Sequence, residues 1–454
     1  MLGKTEHIHF VGIGGIGMSG LATIMHNLKF KVTGSDINPS SITRRLKKQG
    51  IRVYYNHRSE NISGADVVVY SSAIKDSNPE LAEARRLNIP LIHRAELLAE
   101  LTRLKLAVCI SGTHGKTTTT SLISEVLQYG GLSPTTIIGG IIKGKSQARL
   151  GKGDYLVCEV DESDKSFLKV FPSYAVITNI EAEHLDHYKN LDEILENFSY
   201  FANHVPFWGC TLLGIDIPTS LSIKERIRKR TILYGLTEEA QLKAYNIRRS
   251  NFGSTFNVSF HKKKVGRFKI HLPGVHNVSN ALAAIGIGIE LGIRTKKIAD
   301  ALEQFRGVYR RLEFKGEVRG IMLFDDYGHH PTEIAVTLQT LRNYFPKQRL
   351  ITIFQPHRYT RTYYLFDEFA FSFLYADIVI VTRIYPAHES PIPGVSGEAL
   401  SRRIKKEQKS VYYIPDFSEI INFVKTIAKR DDIIIVQGAG DISKLPPLLL
   451  KELK

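Results

Sequence analysis

The sequence has few cysteines, no long apolar run and fewer acidic than basic residues. Its 454 residues include only three cysteines, Cys109, Cys158 and Cys210. Because three scattered cysteines make neither a disulfide framework nor a cysteine metal site, they indicate core thiols in a reducing cytoplasm. No stretch of about 18 uncharged apolar residues occurs, which argues against a membrane span and stable membrane insertion. The N-terminal "MLGKTEHIHF" also lacks the apolar segment of a secretory signal, so a cytoplasmic protein is expected.

The shortage of acidic residues leaves a basic chain. Lysine and arginine number 61 against 45 aspartates and glutamates, a formal charge of +16. The excess is dispersed apart from two short runs, Lys224–Arg230 and His261–Lys264. Neither run is interleaved with aromatic residues or belongs to a DNA-binding motif. The charge therefore favours solvated faces and anionic substrates over a nucleic-acid partner. Separately, the protein is expected to be a monomer or homodimer.

Length and composition predict an ordered chain of about three domains. Hydrophobic residues make up 43% of the sequence, which suits a globular protein. Short β-rich runs alternate with helical periodicity in three successive blocks, the pattern of parallel α/β sheets. The predicted fold class is therefore α/β, with domains at residues 1–102, 103–307 and 308–454.

A glycine-rich turn near the N-terminus is typical of pyrophosphate binding. In "HFVGIGGIGMSG" a predicted strand, Ile8–Val11, is followed by a predicted helix, Met18–Leu28. The intervening glycines of the G-x-G-x-x-G pattern are Gly12, Gly14 and Gly17. Such a loop holds a pyrophosphate at a helix N-terminus, and Asp36 stands where dinucleotide folds place an acid on a ribose. Alone, the pattern fits an NAD-dependent dehydrogenase or a protein that binds another pyrophosphate.

The stretch "SGTHGKTTTT" is the most informative in the chain. It lies between a predicted strand, Leu106–Ile110, and the helix predicted over "SLISEVLQYG". Its glycines would let backbone N–H groups surround phosphate oxygens, while Lys116 would reach the terminal phosphates and Thr117 would ligate magnesium. Position 110 is isoleucine rather than the glycine of a full Walker A pattern, so the loop is a shorter G-x-x-G-K-T form.

Two further strand ends carry acids and histidines. "DYLVCEVDESD" (Asp154–Asp164) is an apolar strand that ends in four acids, and beside a phosphate loop such carboxylates suit magnesium, which prefers oxygen ligands. "TNIEAEHLDHY" (Thr178–Tyr188) contains His184, Asp186 and His187. These three residues alone would fit a zinc or di-metal hydrolase, but no further ligands stand at organised spacing. A second magnesium site or a histidine beside ATP is therefore the preferred interpretation.

The third block carries polar residues at the ends of four predicted strands, where ligands bind in open α/β sheets. These segments are "IMLFDDYGHHP", "LITIFQPHRYTR", "DIVIVTRIYPAHES" and "DIIIVQGAGDIS". Arg358 and Arg361 are spaced i, i+3, so they would share a face in a helix. Two guanidinium groups on one face suit a carboxylate or phosphate clamp.

Taken in order, the motifs resemble those of the Mur ligase family. Across nearly the whole chain they are "GIGGIGMSG", "GTHGKTTT", "EVDESD", "NIEAEHLDHY", "GVHNVSNALAA", "YRRLEF", "DDYGHHPTE", "QPHRYTR" and "QGAGDI". The resemblance implies a Rossmann-like UDP-binding first domain, a central P-loop-type ATPase domain and a Rossmann-like third domain. It is strongest to the branch of the family that adds L-alanine to UDP-N-acetylmuramate in peptidoglycan synthesis.

The resemblance implies a ligase reaction in two steps. The lactyl carboxylate of UDP-N-acetylmuramate attacks the γ-phosphate of ATP to form an acyl phosphate and release ADP, and the amine of L-alanine then attacks the acyl carbon and displaces phosphate. Because two anions must approach each other, metal and cationic groups must stabilise the developing charge. The implied partners are ATP, UDP-N-acetylmuramate and L-alanine, with two magnesium ions and no NAD.

The resemblance also assigns roles to particular residues. The phosphates of ATP would bind to Gly112, Thr113, His114, Gly115, Lys116, Thr117 and Thr118, and the rest of the nucleotide to Asn277, Arg311 and Asp326. Magnesium would bind to Thr117, Glu159 and His184. The UDP-sugar would bind to Gly12, Gly14, Gly15, Ile16, Gly17, Asp36, Ser71 and Ser72. Alanine and the reacting carboxylate would contact Tyr327, His329, Arg358 and Arg361. The residues expected to carry catalysis are Lys116, Glu159, His184 and Arg358.

Several sister ligases carry a carbamylated lysine on the helix after the "HLDHY"-type segment. Here the stretch "LDEILENFSYF" has no lysine, so no carbamate is expected.

Three alternatives stay open: the family's recycling ligase, which attaches a tripeptide; an NAD-dependent dehydrogenase, which would leave the G-K-T loop unused; and a nucleic-acid-stimulated ATPase, which would account for the basic charge.

Overall fold

The computed structural model describes residues 3–140, 143, 148–183, 188–250, 252–387 and 389–454. It divides into two compact units, Met1–Arg306 and Gly307–Lys454. The first unit contains two β-sheets and the second contains one, each flanked by helices, so the predicted α/β class is confirmed. Within the described ranges, no helix has the length and apolar character that crossing a bilayer requires.

The first sheet is a five-stranded, all-parallel sheet of order β3-β2-β1-β4-β5. Its elements are β1 (His7–Val11), α1 (Ile16–Asn27), β2 (Lys31–Ser35), α2 (Ser41–Lys48), β3 (Arg52–Tyr54), β4 (Val67–Tyr70), α3 (Pro79–Arg86), β5 (Leu91–His93) and α4 (Arg94–Leu104). Strands such as β1 are buried along their whole length, as expected for parallel strands covered on both faces. The strand order reverses between β1 and β4, and ligands of open α/β sheets bind at such a reversal.

The second sheet has ten strands in the order β15-β14-β13-β12-β11-β10-β6-β9-β7-β8. Its strands are β6 (Leu106–Ser111), β7 (Thr135–Ile137), β8 (Ala148–Arg149), β9 (Tyr155–Glu159), β10 (Tyr174–Ile177), β11 (Cys210–Gly214), β12 (Thr231–Gly235), β13 (Leu242–Ser250), β14 (Gly253–Phe260) and β15 (Lys263–Ile270). The accompanying helices are α5 (Lys116–Tyr129), α6 (Leu191–Asn203), α7 (Pro218–Leu221), α8 (Val275–Glu290) and α9 (Thr295–Gln304). The central strands are parallel, whereas β13, β14 and β15 form an antiparallel extension.

The third sheet has six strands in the order β16-β17-β21-β18-β19-β20. Its elements are β16 (Glu313–Val318), β17 (Ile321–Asp326), α10 (Pro331–Tyr344), β18 (Leu350–Phe354), α11 (Tyr359–Tyr364), α12 (Phe366–Phe371), β19 (Ile378–Val381), α13 (Gly397–Ile404), β20 (Val411–Tyr413), α14 (Phe417–Ile427), β21 (Ile433–Gln437) and α15 (Leu445–Glu452). All neighbours are parallel except β16 and β17. The four polar strand ends predicted for this block therefore lie on one edge of one sheet.

Two helix starts lie earlier than the sequence predicts. Helix α1 begins at Ile16 rather than Met18, and α5 begins at Lys116 rather than at Ser121. In both cases the helix starts directly after a glycine, Gly15 or Gly115, whose backbone ends the preceding loop. The early starts bring the first N–H groups of each helix up to the glycine loop, where an anion would bind.

A cluster of phenylalanines fixes helix α6 against the second sheet. Phe167, Phe198 and Phe201 are fully buried, and the ring centroid of Phe167 lies 5.0 Å from that of Phe198 and 5.3 Å from that of Phe201. The side chain of Asn190 starts the helix by accepting the N–H of Glu193 at 3.0 Å. Buried aromatic area and a capped N-terminus together account for the position of α6.

We expect Phe198→Ala to destabilise the first unit by about 3–5 kcal/mol, because truncation removes buried area and leaves a cavity that the neighbouring rings cannot fill. Chemical denaturation followed by circular dichroism measures the change. Glu196→Ala, an exposed position on the same helix, is the matched control and should shift the midpoint little. Equal shifts for the two variants would contradict the packing of α6 described above.

Candidate active site

The loop between β6 and α5 has the backbone that a phosphate-binding loop requires. Gly112 and Gly115 have φ angles of +131° and +82°, a region that side chains rarely adopt. A Cβ atom on Gly112 would also lie 2.1 Å from the hydroxyl oxygen of Thr178, and one on Gly115 would lie 2.6 Å from the amide oxygen of Asn280. Both positions therefore require glycine, as the G-x-x-G-K-T pattern predicts.

The side chain of Lys116 folds back over this loop. Its ammonium group donates to the carbonyl oxygens of Gly112 at 2.6 Å and Thr113 at 3.1 Å, and to the carboxylate of Glu162 at 2.7 Å. Burial acts to lower the pKa of Lys116, but the carboxylates of Glu162 and Asp161 outweigh it and hold the pKa above its usual value. The lysine therefore carries its positive charge into the loop.

Thr117 and Glu159 lie side by side at the mouth of the loop. The Thr117 hydroxyl donates to one carboxylate oxygen of Glu159 at 3.1 Å, and the N–H of Gly139 donates to the other at 2.9 Å. Thr117 is the second residue of α5, whereas Glu159 ends the neighbouring strand β9. A hydroxyl and a carboxylate form the hard oxygen donor set that magnesium prefers, so these two predicted ligands fit that ion.

The other side of the loop is held by the end of strand β10. The amide oxygen of Asn179 accepts the N–H of His114 at 2.9 Å, and its amide nitrogen donates to the His114 carbonyl at 3.0 Å. The N–H of Thr113 donates to the Asn179 carbonyl at 3.0 Å, and Thr118 is buried in the first turn of α5. The predicted ligand His184 lies outside the described residues.

Helix α8 reaches the loop through two asparagines. The amide oxygen of Asn280 accepts from the Thr119 hydroxyl at 3.1 Å, and its amide nitrogen donates to the Asn277 side chain at 3.1 Å. The amide nitrogen of Asn277 is in turn bonded to the Pro273 carbonyl at 2.7 Å. Asn277, one of the predicted nucleotide contacts, thus stands one hydrogen bond away from a residue that packs on the phosphate loop.

The N-terminal glycine loop is closed by Asp36. Its carboxylate accepts the N–H of Gly14 at 2.8 Å and that of Asn38 at 3.3 Å. The N–H of Gly12 donates to the carbonyl of Ser35 at 2.9 Å. Both carboxylate oxygens of Asp36 are therefore engaged with backbone, the arrangement expected of a residue that closes the strand end.

The remaining predicted UDP-sugar residues surround this loop. Gly15 precedes α1, and Ile16 and Gly17 form its first turn. Ser71 follows strand β4, and its hydroxyl oxygen would lie 3.9 Å from a Cβ on Gly12; Ser72 is exposed beside it. The glycines, the helix start and the two serines therefore meet at the strand-order reversal.

Arg94 links the N-terminal glycine loop to the acidic segment after β9, a role that no local pattern predicted. One of its guanidinium nitrogens would lie 3.1 Å from a Cβ on Gly17. The same side chain is 3.4 Å from the carboxylate of Asp161 and 3.7 Å from that of Asp164. The acidic segment after β9 is thus tied to the first helix turn after the N-terminal glycine loop.

In the second unit, Asp326 organises the backbone at the end of β17. Its two carboxylate oxygens accept the N–H groups of Leu312 at 2.6 Å and Gly328 at 2.8 Å. Burial raises the pKa of Asp326 to about 6, although Arg311 and the two N–H donors oppose the shift. Arg311 lies 3.4 Å from the carboxylate of Glu333, so the predicted nucleotide contacts belong to one hydrogen-bonded turn.

Aromatic and cationic side chains gather beside this turn. The ring of His329 lies between those of Tyr327 and His357, with centroid distances of 5.4 Å and 5.7 Å. Arg361 is 3.2 Å from His357. Burial, reinforced by His329 and Arg361, lowers the pKa of His357 to about 3, so this ring stays neutral.

Arg358 lies outside helix α11, so it does not share a helical face with Arg361 as their spacing would give within a helix. Arg358 precedes α11 with a φ of +68°, whereas Arg361 lies within the helix. The backbone N–H of Arg358 donates to the carbonyl of Tyr385 at 2.9 Å, which holds the residue in this turn. The guanidinium of Arg358 is 4.0 Å from the carboxylate of Glu389. Both arginines still follow β18, so they remain at the polar edge of the sheet.

Several residues at these sites had no distinguishing signal in the sequence. Glu162 is one acid among four, and His357 lies within the "QPHRYTR" motif, which implies no particular role for it. Asn179 and Asn280 are common residue types in loops and at helix starts. Only tertiary contacts distinguish the four residues. Glu162 contacts Lys116 and His357 contacts Arg361. Asn179 contacts His114 and Asn280 contacts Thr119.

Three protein-family models match the chain in sequence order. The Mur ligase family catalytic domain matches residues 7–106, the Mur ligase middle domain residues 110–288, and the Mur ligase glutamate ligase domain residues 310–440.

Individual relatives match over nearly the full length. UDP-N-acetylmuramate–L-alanine ligase of Desulfatibacillum aliphaticivorans is 49% identical over 447 residues, which are 98% of each chain. The crystal structure of a UDP-N-acetylmuramate–alanine ligase from Thermotoga maritima has a TM-score of 0.83 at 30% identity and covers 98% of each chain. A murein peptide ligase from Psychrobacter arcticus has a TM-score of 0.74 at 25% identity, covering 99% of this chain and 98% of that one. With the three domain models in order and a relative this similar over its whole length, the chain belongs to the Mur ligase family.

Proposed function

We propose that the protein is an ATP-dependent ligase that joins L-alanine to the lactyl carboxylate of UDP-N-acetylmuramate. The observation that carries the proposal is the loop in which Lys116 points inward and Thr117 lies against Glu159. That arrangement serves phosphoryl transfer, which activates a carboxylate as an acyl phosphate. The identity of 49% to an alanine ligase over nearly the whole chain supports the choice of substrates.

Lys116 would stabilise the charge that develops on the transferred phosphoryl group. When ATP enters, its phosphate oxygens replace the carbonyls of Gly112 and Thr113 as partners of the ammonium group. The first N–H groups of α5 point into the same loop and add the positive end of the helix dipole. Lys116 would therefore hold the β- and γ-phosphates in line with the attacking carboxylate.

Thr117 and Glu159 would hold one magnesium ion. Bound there, the ion would neutralise phosphate charge and lower the repulsion between the two anions. The donor set supports this assignment because it is made of oxygens on two adjacent elements, α5 and β9. His184 would share Glu159 with a second ion next to the reacting carboxylate, and no carbamylated lysine takes part.

The N-terminal loop would bind the diphosphate of the UDP-sugar. Its glycines and the start of α1 provide N–H donors, and Arg94 provides a guanidinium group beside Gly17. Asp36 uses both oxygens on backbone N–H groups, which supports a UDP-sugar rather than an NAD ribose as the occupant. We therefore infer that NAD takes no part.

The second unit would contribute Arg311 and Asp326 toward the nucleotide and bind the alanine. Tyr327, His329, Arg358 and Arg361 would surround the amino acid and the reacting carboxylate. The neutral His357 packs at a tilt against His329 and contacts Arg361, so it would hold these two side chains in place. The free, buried thiols of the chain support a cytoplasmic location. We also propose that the protein is a monomer or homodimer.

We expect Lys116→Ala to lower ADP release at least a hundredfold, because one preorganised cation is lost from the transition state. The assay is ADP release with ATP, UDP-N-acetylmuramate and L-alanine, and circular dichroism verifies folding. Lys169→Ala is the control, since Lys169 is exposed and pairs with Glu96 at 2.6 Å. Full activity of a folded Lys116→Ala protein would contradict the assignment of the loop.

Glu159→Gln should raise the magnesium concentration needed for half-maximal activity by about tenfold or more, because a neutral amide binds the cation less well than a carboxylate. Initial rates measured across a magnesium titration test this. Glu196→Gln, an exposed acid on α6, should leave the titration unchanged. A loss of rate at unchanged magnesium dependence would show that Glu159 is not a ligand.

ADP release should require UDP-N-acetylmuramate and L-alanine together, since the acyl phosphate turns over when an amine attacks it. Mass spectrometry of the product distinguishes the possible acceptors. A product formed with the tripeptide and none with L-alanine would identify the recycling ligase instead. Reduction of a nicotinamide, or stimulation by DNA or RNA, would support the two alternatives from outside the family.

A further inference from the structure

The loop between α6 and β11 exposes two aromatic side chains. Phe207 is 90% exposed and Trp208 is 47% exposed. Trp208 is the single tryptophan of the chain, and its ring lies 6.4 Å from that of Tyr174. Two adjacent large aromatic residues in water are unfavourable unless they meet a partner.

The basic run Lys224–Arg230 lies beside this aromatic loop. The side chain of Asn203, which ends α6, donates to the carbonyl of Arg226 at 2.9 Å and accepts the N–H of Arg228 at 2.7 Å. At the other end of the loop, the N–H of Thr211 donates to the carbonyl of Arg230 at 2.9 Å. The basic run has no aromatic residues of its own, but folding places Phe207 and Trp208 beside it.

A groove of about 710 Å³ extends this surface. Among its lining residues are Arg103, Lys105, Phe171 and Trp208, and the guanidinium of Arg103 lies 4.2 Å from the centroid of Phe171. Aromatic rings and long basic side chains therefore form one continuous face, which we name the basic aromatic face: Arg103, Lys105, Phe171, Phe207, Trp208 and Lys224–Arg230.

The carboxylates on this face leave it with a positive excess. Glu100 pairs with Arg103, Glu225 with Lys224 and Glu290 with Arg230, and Asp154 also lines the groove. Within the part of the chain that the structure describes, no carboxylate lies within ion-pairing distance of Arg226, Arg228 or Lys229. Cations without an internal partner next to exposed aromatic rings complement an anionic surface.

We propose that the basic aromatic face docks reversibly on an anionic phospholipid bilayer. Tryptophan and neighbouring apolar rings enter the headgroup region of a bilayer, while lysine and arginine bind the negative headgroups. The aromatic pair here is confined to one short loop, which suits shallow contact rather than insertion. The proposal concerns where the enzyme binds, and it does not depend on which amine the enzyme uses.

The position of the face leaves the phosphate loop accessible. Leu106, the first residue of β6, lines the groove, whereas Ser111, the last, leads into the phosphate loop. Because the central strands are parallel, the basic aromatic face lies at the edge of the sheet where their N-terminal ends meet. The phosphate loop follows the C-terminal end of β6, about 20 Å away along the strand. Docking would therefore leave the ATP site open to solvent.

Vesicle co-sedimentation of the full chain tests the proposal. We expect binding to vesicles made of equal parts phosphatidylglycerol and phosphatidylcholine, weakening with added salt, and little binding to pure phosphatidylcholine. Because Trp208 is the only tryptophan, its emission should shift to the blue on the anionic vesicles alone. Phe207→Ser and the double variant Arg228→Gln/Lys229→Gln should each lower the partition coefficient at least about fivefold, with ADP release unchanged.

Matched variants in the second unit serve as controls. Leu374→Ser removes an exposed apolar side chain, and Lys405→Gln/Lys406→Gln removes two adjacent exposed cations; both should bind vesicles as the unaltered protein does. Equal sedimentation with the two vesicle types, or unaltered binding by both face variants, would overturn the proposal. So would binding of a single-stranded oligonucleotide with no binding to vesicles, because stacked bases also suit aromatic and basic surfaces.

Discussion

The ion pair between Lys116 and Glu162 is the interaction around which the central site is built. A buried ammonium group is stable only with partners, and here it has one carboxylate and two loop carbonyls. The same contacts hold the lysine over the loop before a nucleotide arrives. If ATP binds as proposed, its phosphate oxygens would take the place of the carbonyls with little rearrangement, which is the advantage of preorganisation.

The loop can take this shape because of what surrounds it. Thr178 and Asn280 leave no room for side chains at Gly112 and Gly115, and Asn179 bonds the backbone at His114 on both its N–H and its carbonyl. A tightly held loop keeps its N–H groups pointed at the phosphate position. In the proposed reaction, this rigidity would serve phosphate binding as well as stability.

In the first unit, the N-terminal glycine loop of one sheet is connected to the acidic segment that follows β9 of the other. Arg94 starts α4 of the first sheet, yet its guanidinium meets the acids that follow β9 of the second. A UDP-sugar on one loop and ATP on the other would each be close to this network. The arrangement suits a reaction in which a carboxylate of one substrate attacks a phosphate of the other.

Local sequence was enough to predict the α/β class, the two glycine loops and the polar strand ends of the third block, and it marked the Thr117 hydroxyl and the acids after β9 as candidate magnesium ligands. These features are local, since a buried strand, a glycine turn and the helix that follows occupy adjacent residues. Tertiary structure decided which of four acids meets Lys116, that Arg358 lies outside helix α11, and that the run Lys224–Arg230 lies beside Phe207 and Trp208. Those contacts depend on strand order and on residues far apart in the chain, and no local periodicity encodes either.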